Sequence, residues 1–338
     1  MDSLLFTLNA VLPIIACILI GYFIKRLKIF PDNFWGTLNK LTFKLFLPVL
    51  LFKNIYDIDD IGAVGNYWKV ILFCAVATIV VFFIGLIFVK FCIKEDKQKG
   101  VILQCIFRSN YAIIGIGLIE LLANGNEMAK GIGAVISAVS IPIFNILAII
   151  SLSIFVKSED GKKPSPKQIF IKICKNPLII GVLTGLIFLS IKSLILNNTS
   201  ALEEGVFLQY EGCEFLYTTI KWLAQCASPV ALVALGGGFV FSAISRLKFQ
   251  IIIGTVARTI IVPVLALIVA YLLGFDNNSY FPALIALFGT PVAVSSAPMA
   301  QEMDNDGELA GQLVVWCSIV SVISLTLIIL VCSLMGII

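Results

Sequence analysis

The sequence predicts an all-α polytopic membrane protein: ten transmembrane helices in two five-helix repeats of opposite orientation, with helices 4 and 9 broken. Three observations predict it: a composition too apolar for water, ten apolar runs of membrane length, and a register match between the two halves of the chain. Of 338 residues, 59% are hydrophobic and 13% charged, and the mean hydropathy is +1.04. Soluble domains carry about 25% charge and about 45–50% apolar residues. The excess excludes a soluble enzyme, a disordered segment and a nucleic-acid binder. A helix of about 20 apolar residues crosses the hydrocarbon core. Runs of that order fall at 4–24, 37–55, 67–92, 100–123, 131–156, 170–191, 215–243, 249–273, 280–301 and 309–335.

The first run reads as a retained helix. Asp2 precedes it and Lys25, Arg26 and Lys28 follow it, the reverse of the charge order in a secretory leader. The loops after spans 1, 3, 5 and 7 are basic, with Lys94, Lys97, Lys99, Lys157, Lys162, Lys163, Lys167, Arg246 and Lys248 added to the first cluster. The loops after spans 2, 4, 6 and 8 carry Asp57, Asp59, Asp60, Glu127, Glu203, Glu204, Glu211 and Asp276, with Lys130 and Lys192 as their basic residues. Lys and Arg collect on the cytoplasmic side, so both termini are expected outside a cell membrane. The acidic turn Glu302–Glu308 falls inside, which acidic residues do not oppose.

Other chemistry finds little support. There is no His, which removes the commonest proton relay and metal ligand. The nine Cys are dispersed without a CxxC, and most sit in apolar runs as small hydrophobes. No P-loop occurs. Cofactor and metal are expected absent, leaving H⁺ or Na⁺ as candidate coupling ions.

The polar linker at 157–168 divides the chain into halves 1–156 and 169–338. Adding 181 to a residue number aligns them over a long stretch. Thr37, Lys40 and Pro48 meet Thr218, Lys221 and Pro229; Asn124 and Glu127 meet Asn305 and Glu308; Ser137 and Ser140 meet Ser318 and Ser321. The first helix needs an offset of 164, which matches Pro13 and Gly21 to Pro177 and Gly185. Each half holds five spans, so the copies cross the membrane in opposite senses, as in many secondary transporters.

In such repeats the binding site is marked by Gly/Pro-interrupted segments at equivalent positions. Spans 4 and 9 are such a pair. Pro291 and Pro298 each remove a backbone donor in span 9. Asn110, Gly115 and Gly117 permit unwinding in span 4. Ser109, Asn110, Tyr111, Thr290, Ser295 and Ser296 surround the interruptions and could hydrogen-bond a carboxylate, with backbone amides near Pro291 beside them. Arg108 precedes the first interruption and Arg258 lies mid-way along span 8. An intramembrane Arg faces a partner or a cavity, and a guanidinium binds carboxylate bidentately. The expected ligand is therefore a small organic anion, with Glu120 or Glu302 as alternative partners of the arginines. Lys40 and Lys221 read as snorkelling side chains, and Asn39, Asn145 and Trp316 as packing contacts.

At Leu12-Pro13 to Gly21-Tyr22, Leu47-Pro48, Phe107 to Gly117, and Thr290-Pro291-Val-Ala293 through Ala300-Gln301-Glu302, the chain resembles the auxin efflux carrier family of permeases, in its bacterial branch, within the bile-acid, arsenite and riboflavin transporter-like superfamily. The resemblance covers essentially the whole chain. It implies crossed broken helices 4 and 9, a scaffold of helices 1, 2, 6 and 7, and a moving unit of helices 3–5 and 8–10. Asn110 matches the family's Asn at the first crossover and Pro291 its Pro at the second; Gly117 stands where the family often has Pro. It implies transport of a mono- or dicarboxylate or an auxin-like acid across the lipid bilayer, and homodimers among relatives. Two alternatives remain at this point: a sodium-coupled symporter of the bile-acid type, and a ligand-binding membrane sensor that does not transport.

Overall fold

The computed structural model describes residues 2–58, 67–156, 165–198, 214–275 and 277–338. Asp59, Asp60, Glu203, Glu204, Glu211, Asp276, Cys213 and most of the linker at 157–168 lie outside the described residues. What is described is helical, apart from one isolated bridge between Ser109 and Val292. Among the described residues, six helices are long and apolar enough to cross a membrane: Trp68–Cys92, Glu127–Ser153, Pro177–Leu194, Glu214–Gly238, Lys248–Leu272 and Gly307–Leu334. Their outer faces are apolar too, with Ile84, Phe91, Leu272 and Leu334 from 63% to 80% exposed. Helices apolar on every side need lipid around them.

In chain order the elements are α1 (Asp2–Arg26), α2 (Asn33–Leu41), α3 (Leu47–Tyr56), α4 (Trp68–Cys92), α5 (Asp96–Phe107), α6 (Ile116–Ala123), α7 (Glu127–Ser153), α8 (Pro166–Lys175), α9 (Pro177–Asn198), α10 (Glu214–Gly238), α11 (Ser242–Arg246), α12 (Lys248–Val256), α13 (Val262–Leu272), α14 (Phe281–Gly289), α15 (Ser296–Glu302) and α16 (Gly307–Leu334). A π-turn, Thr42–Phe46, joins α2 to α3, and another, Ala257–Ile261, joins α12 to α13. Each lies just ahead of a proline, Pro48 or Pro263. A proline ring clashes with the carbonyl four residues earlier, and a widened turn relieves the clash without ending the helix. Two tight turns start long helices in the same way. The Asn126 side chain accepts from the Ala129 amide at the head of α7, and Asp306 from that of Leu309 at the head of α16.

The apolar run at 170–191 is two elements. α8 is an exposed amphipathic helix closed by a Ser165/Gln168 capping box. Asn176 then breaks the chain, and its side chain accepts from the Leu178 amide to start α9 at Pro177. Periodicity merged the two because Phe170, Ile171 and Ile173 are as apolar as the span that follows.

α1 lies along α10, and α3 along both α9 and α10. Glycines set these close approaches. A Cβ on Gly236 would stand 1.9 Å from the Ile18 carbonyl oxygen, and one on Gly21 2.1 Å from that of Val233. One on Gly181 would stand 2.4 Å from the Pro48 oxygen. Small residues let membrane helices meet backbone to backbone. We expect Gly236→Ala to lower the unfolding temperature and folded yield in detergent, because overpacking costs about 1–3 kcal/mol or more. Gly238→Ala, two residues on and with open space around it, should leave both unchanged.

Candidate functional site

α14 ends where its sequence says it must. Thr290 precedes Pro291 and is pushed to extended backbone, φ −69° and ψ 150°. The chain stays non-helical until α15 begins at Ser296. α5 ends without a proline: Arg108 is extended at φ −88° and ψ 111°, and Asn110 sits at φ −85° and ψ 44°. A π-turn, Tyr111–Gly115, then leads into α6. The two interruptions cross as an antiparallel bridge, with the Asn110 amide donating to the Pro291 carbonyl at 2.7 Å.

The first interruption lies at 108–110, at Asn110 of the three residues expected to permit unwinding and not at Gly115 or Gly117. Gly115 closes the π-turn, where a Cβ would come within 2.8 Å of the Tyr111 ring. Gly117 lies in the first turn of α6, and Pro298 in the first turn of α15, where a missing amide costs no intrahelical bond. Of the four expected break residues, Pro291 is the one in non-helical backbone.

Arg258 explains where the unwinding can be tolerated. It is fully buried, and its partners are carbonyls. Nε donates to Thr290 at 3.1 Å, Nη1 to Ile106 and Phe107 at 3.2 and 3.3 Å, and Nη2 to Phe288 and, at 3.5 Å, to Leu287. These are orphan carbonyls at the C-terminal ends of α5 and α14, each with partial negative charge. One guanidinium caps both. Its partners are neither Glu120 nor Glu302, and it does not line the cavity beside the crossing.

That cavity, about 50 Å³, is bordered by residues of both interruptions. Arg108, Ser109, Asn110, Tyr111 and Ser295 line it, with Asn145 of α7 and Ser228 of α10. Apolar side chains, Leu47, Leu50, Leu51, Ile141, Phe144 and Leu178 among them, make up most of the remaining wall. Arg108 is 4% exposed. It donates to Asn145 Oδ1 at 2.8 Å and Ser295 Oγ at 3.0 Å, and contacts Met299 Sδ at 3.2 Å. Among the described residues no carboxylate pairs with it. Asn110 Nδ2 and Ser109 Oγ are buried there with no hydrogen-bond partner. Buried polar groups ordinarily have partners, so this wall presents one uncompensated cation and two unused polar groups to whatever fills the cavity.

Tyr111 lines the cavity but spends its hydroxyl elsewhere, and Thr290, Pro291 and Ser296 are not on the wall. Tyr111 directs its hydroxyl to the Gly133 carbonyl at 2.8 Å, and Thr290 to that of Ala286 at 2.8 Å. Ser296 is buried without a partner off the cavity wall, and Pro291 contributes its carbonyl to the crossing. Asn145, read from sequence as a packing contact, is a direct partner of Arg108. Lys40 and Lys221 are exposed, and Asn39 reaches the Pro298 carbonyl at 3.5 Å.

Two interrupted helices that cross beside a small cavity, in a chain with apolar helices of membrane length, are the arrangement expected of a membrane transporter. The chain belongs to the Membrane transport protein family, that of the auxin efflux carriers, which it matches over residues 6–329. Consistent with this, it is 23% identical over 325 residues to the "Putative malonate transporter" of Rhizobium meliloti (strain 1021), covering 94% of this chain and 92% of that protein. It is thus a multi-pass membrane transporter of a family that is not one of enzymes.

Proposed function

We propose that this protein is a secondary transporter of a small organic monocarboxylate, bound between the crossing and helices α3, α9 and α10. One observation carries the reading: Arg108 is buried on the cavity wall without a counter-charge. An ionised guanidinium in lipid is costly, and a carboxylate offsets that cost bidentately while giving Asn110 Nδ2 and Ser109 Oγ their missing partners. The rest of the wall is mostly apolar, interrupted by Tyr111, Asn145, Ser228 and Ser295, and it carries no second cation. The relative's printed name concerns malonate, but a second carboxylate here would find no second cation on the wall, and unpaired buried charge is strongly disfavoured.

The chain crosses a cell membrane ten times, in two five-helix units of opposite sense, with both termini outside. The 181-residue offset supports this: it equates Asn110 with Pro291, the two residues that hydrogen-bond at the crossing. Transport proceeds by alternating access. A cavity of about 50 Å³ holds water or a carboxylate group, whereas a benzene-sized occupant needs about 150 Å³. Loading a tailed acid therefore requires the unit that carries both interruptions, α4–α7 and α12–α16, to part from a scaffold of α1–α3, α9 and α10. The membrane potential or a coupled H⁺ or Na⁺ drives it; one charge through 100 mV is worth about 2.3 kcal/mol.

The test is a thermal-shift panel of acetate, butyrate, hexanoate, benzoate, malonate and succinate on the purified protein, with and without Na⁺, followed by flux in proteoliposomes. We expect a tailed monocarboxylate to stabilise the protein and to cross, and to exceed malonate by at least about tenfold in affinity, one unpaired charge being worth more than 1.4 kcal/mol. Malonate binding more tightly would overturn the monocarboxylate reading. Binding without flux would make the protein a sensor, and strict Na⁺ dependence a sodium-coupled symporter.

A further inference from the structure

We propose that the recess at the end of α1 is a binding site for one anionic phospholipid. The recess, about 790 Å³, is lined by Tyr22, Lys25, Arg26, Lys28, Phe30 and Phe239 among others. Lys25 and Arg26 close the last turn of α1. Lys28 follows at φ 55°, the left-handed turn that folds the chain back so that three cations share one rim. None of the three forms an ion pair among the described residues. Asp32 is the one carboxylate on the lining, which leaves positive charge in excess.

The floor is aromatic and opens onto lipid. Tyr22 and Phe239 each meet the Phe241 ring edge-on at 5.1 Å. Phe241 is 55% exposed and Phe23 53%, so the floor runs into the apolar outer face of α1. A soluble anion such as inorganic phosphate would answer the cations and leave the rings wet. A zwitterionic lipid would answer the rings and leave the charge. A molecule with an anionic headgroup and acyl chains answers both, at the depth where a membrane helix ends.

The experiment is native mass spectrometry of the detergent-purified full chain, titrated with phosphatidylglycerol or phosphatidylcholine, with inorganic phosphate as competitor. We expect one phosphatidylglycerol retained at concentrations where phosphatidylcholine is lost, and not displaced by phosphate. In K25Q/R26Q/K28Q its affinity should fall about 100-fold, roughly fivefold per basic residue near a membrane surface. The control K94Q/K167Q/K172Q, which removes equal charge elsewhere, should retain the lipid as the native chain does. Equal retention in the first variant, equal loss in the control, or displacement by phosphate would each overturn the site. An unchanged chromatographic profile excludes misfolding. None of these residues touches the Arg108 cavity, so the result does not depend on the transport assay.

Discussion

Replacing Arg108 by Gln is expected to abolish uptake of the transported acid while leaving the protein folded. The sign of the stability change separates a ligand-binding arginine from a structural one. Arg108 is buried, held by Asn145, Ser295 and Met299, and faces no carboxylate. Its charge destabilises the empty protein, so Arg108→Gln should unfold at the same temperature or higher. The bound acid would then lose its one ionic partner. Removing one member of a buried charged pair costs about 3–5 kcal/mol, so affinity should fall by roughly 10²-fold to several thousandfold. Arg108→Lys keeps the charge without the planar fork and should fall between the two. The checks are ligand-free thermal unfolding and uptake into proteoliposomes.

Replacing Arg258 is expected to do the opposite: it should destroy the fold before it touches affinity. Arg258→Met keeps the length and removes every donor. Carbonyls of Ile106, Phe107, Leu287, Phe288 and Thr290 lose this partner together, in surroundings where water cannot replace it. At about 1–3 kcal/mol for each unsatisfied group, the loss should be at least about 3 kcal/mol. It should appear as a sharp fall in folded yield and unfolding temperature. Arg258→Lys should rescue only part of it, since a single ammonium cannot span two helix ends as a guanidinium fork does. Whatever Arg258→Lys protein folds should bind the acid with near-native affinity, because Arg258 does not line the cavity.

These two arginines show what could and could not be read in the sequence. Both stood out, because an ionisable residue in an apolar run is rare. Their roles did not, because role depends on what lies opposite. The partners of Arg258 are carbonyls, which every residue carries and which leave no trace in side-chain identity. Thr290-Pro291 was legible as a break because proline acts locally. The break at Arg108–Asn110 was legible only in outline, with Asn110 and two glycines as candidates, because the bonds that fix it are tertiary: the Pro291 carbonyl to the Asn110 amide, and Arg258 to the end of α5. Gly115 drew attention there, but it makes room for the Tyr111 ring. The apolar runs coincide with the six described helices long and apolar enough to cross a membrane, and failed where α8 lies directly before α9. Asn145 was visible as an intramembrane amide; its pairing with Arg108, 37 positions earlier in the chain, needed the fold.

The most direct measurement compares the tightest-binding acid of the panel with its primary amide, on the native protein and on Arg108→Gln. The two ligands share a shape and differ in charge. If the unpaired guanidinium is what recognises substrate, the native protein should prefer the acid by roughly 10²-fold or more, and the preference should vanish in the variant. A native protein that binds acid and amide alike, or a variant that keeps the full preference, would mean that Arg108 does not read the charge of the ligand.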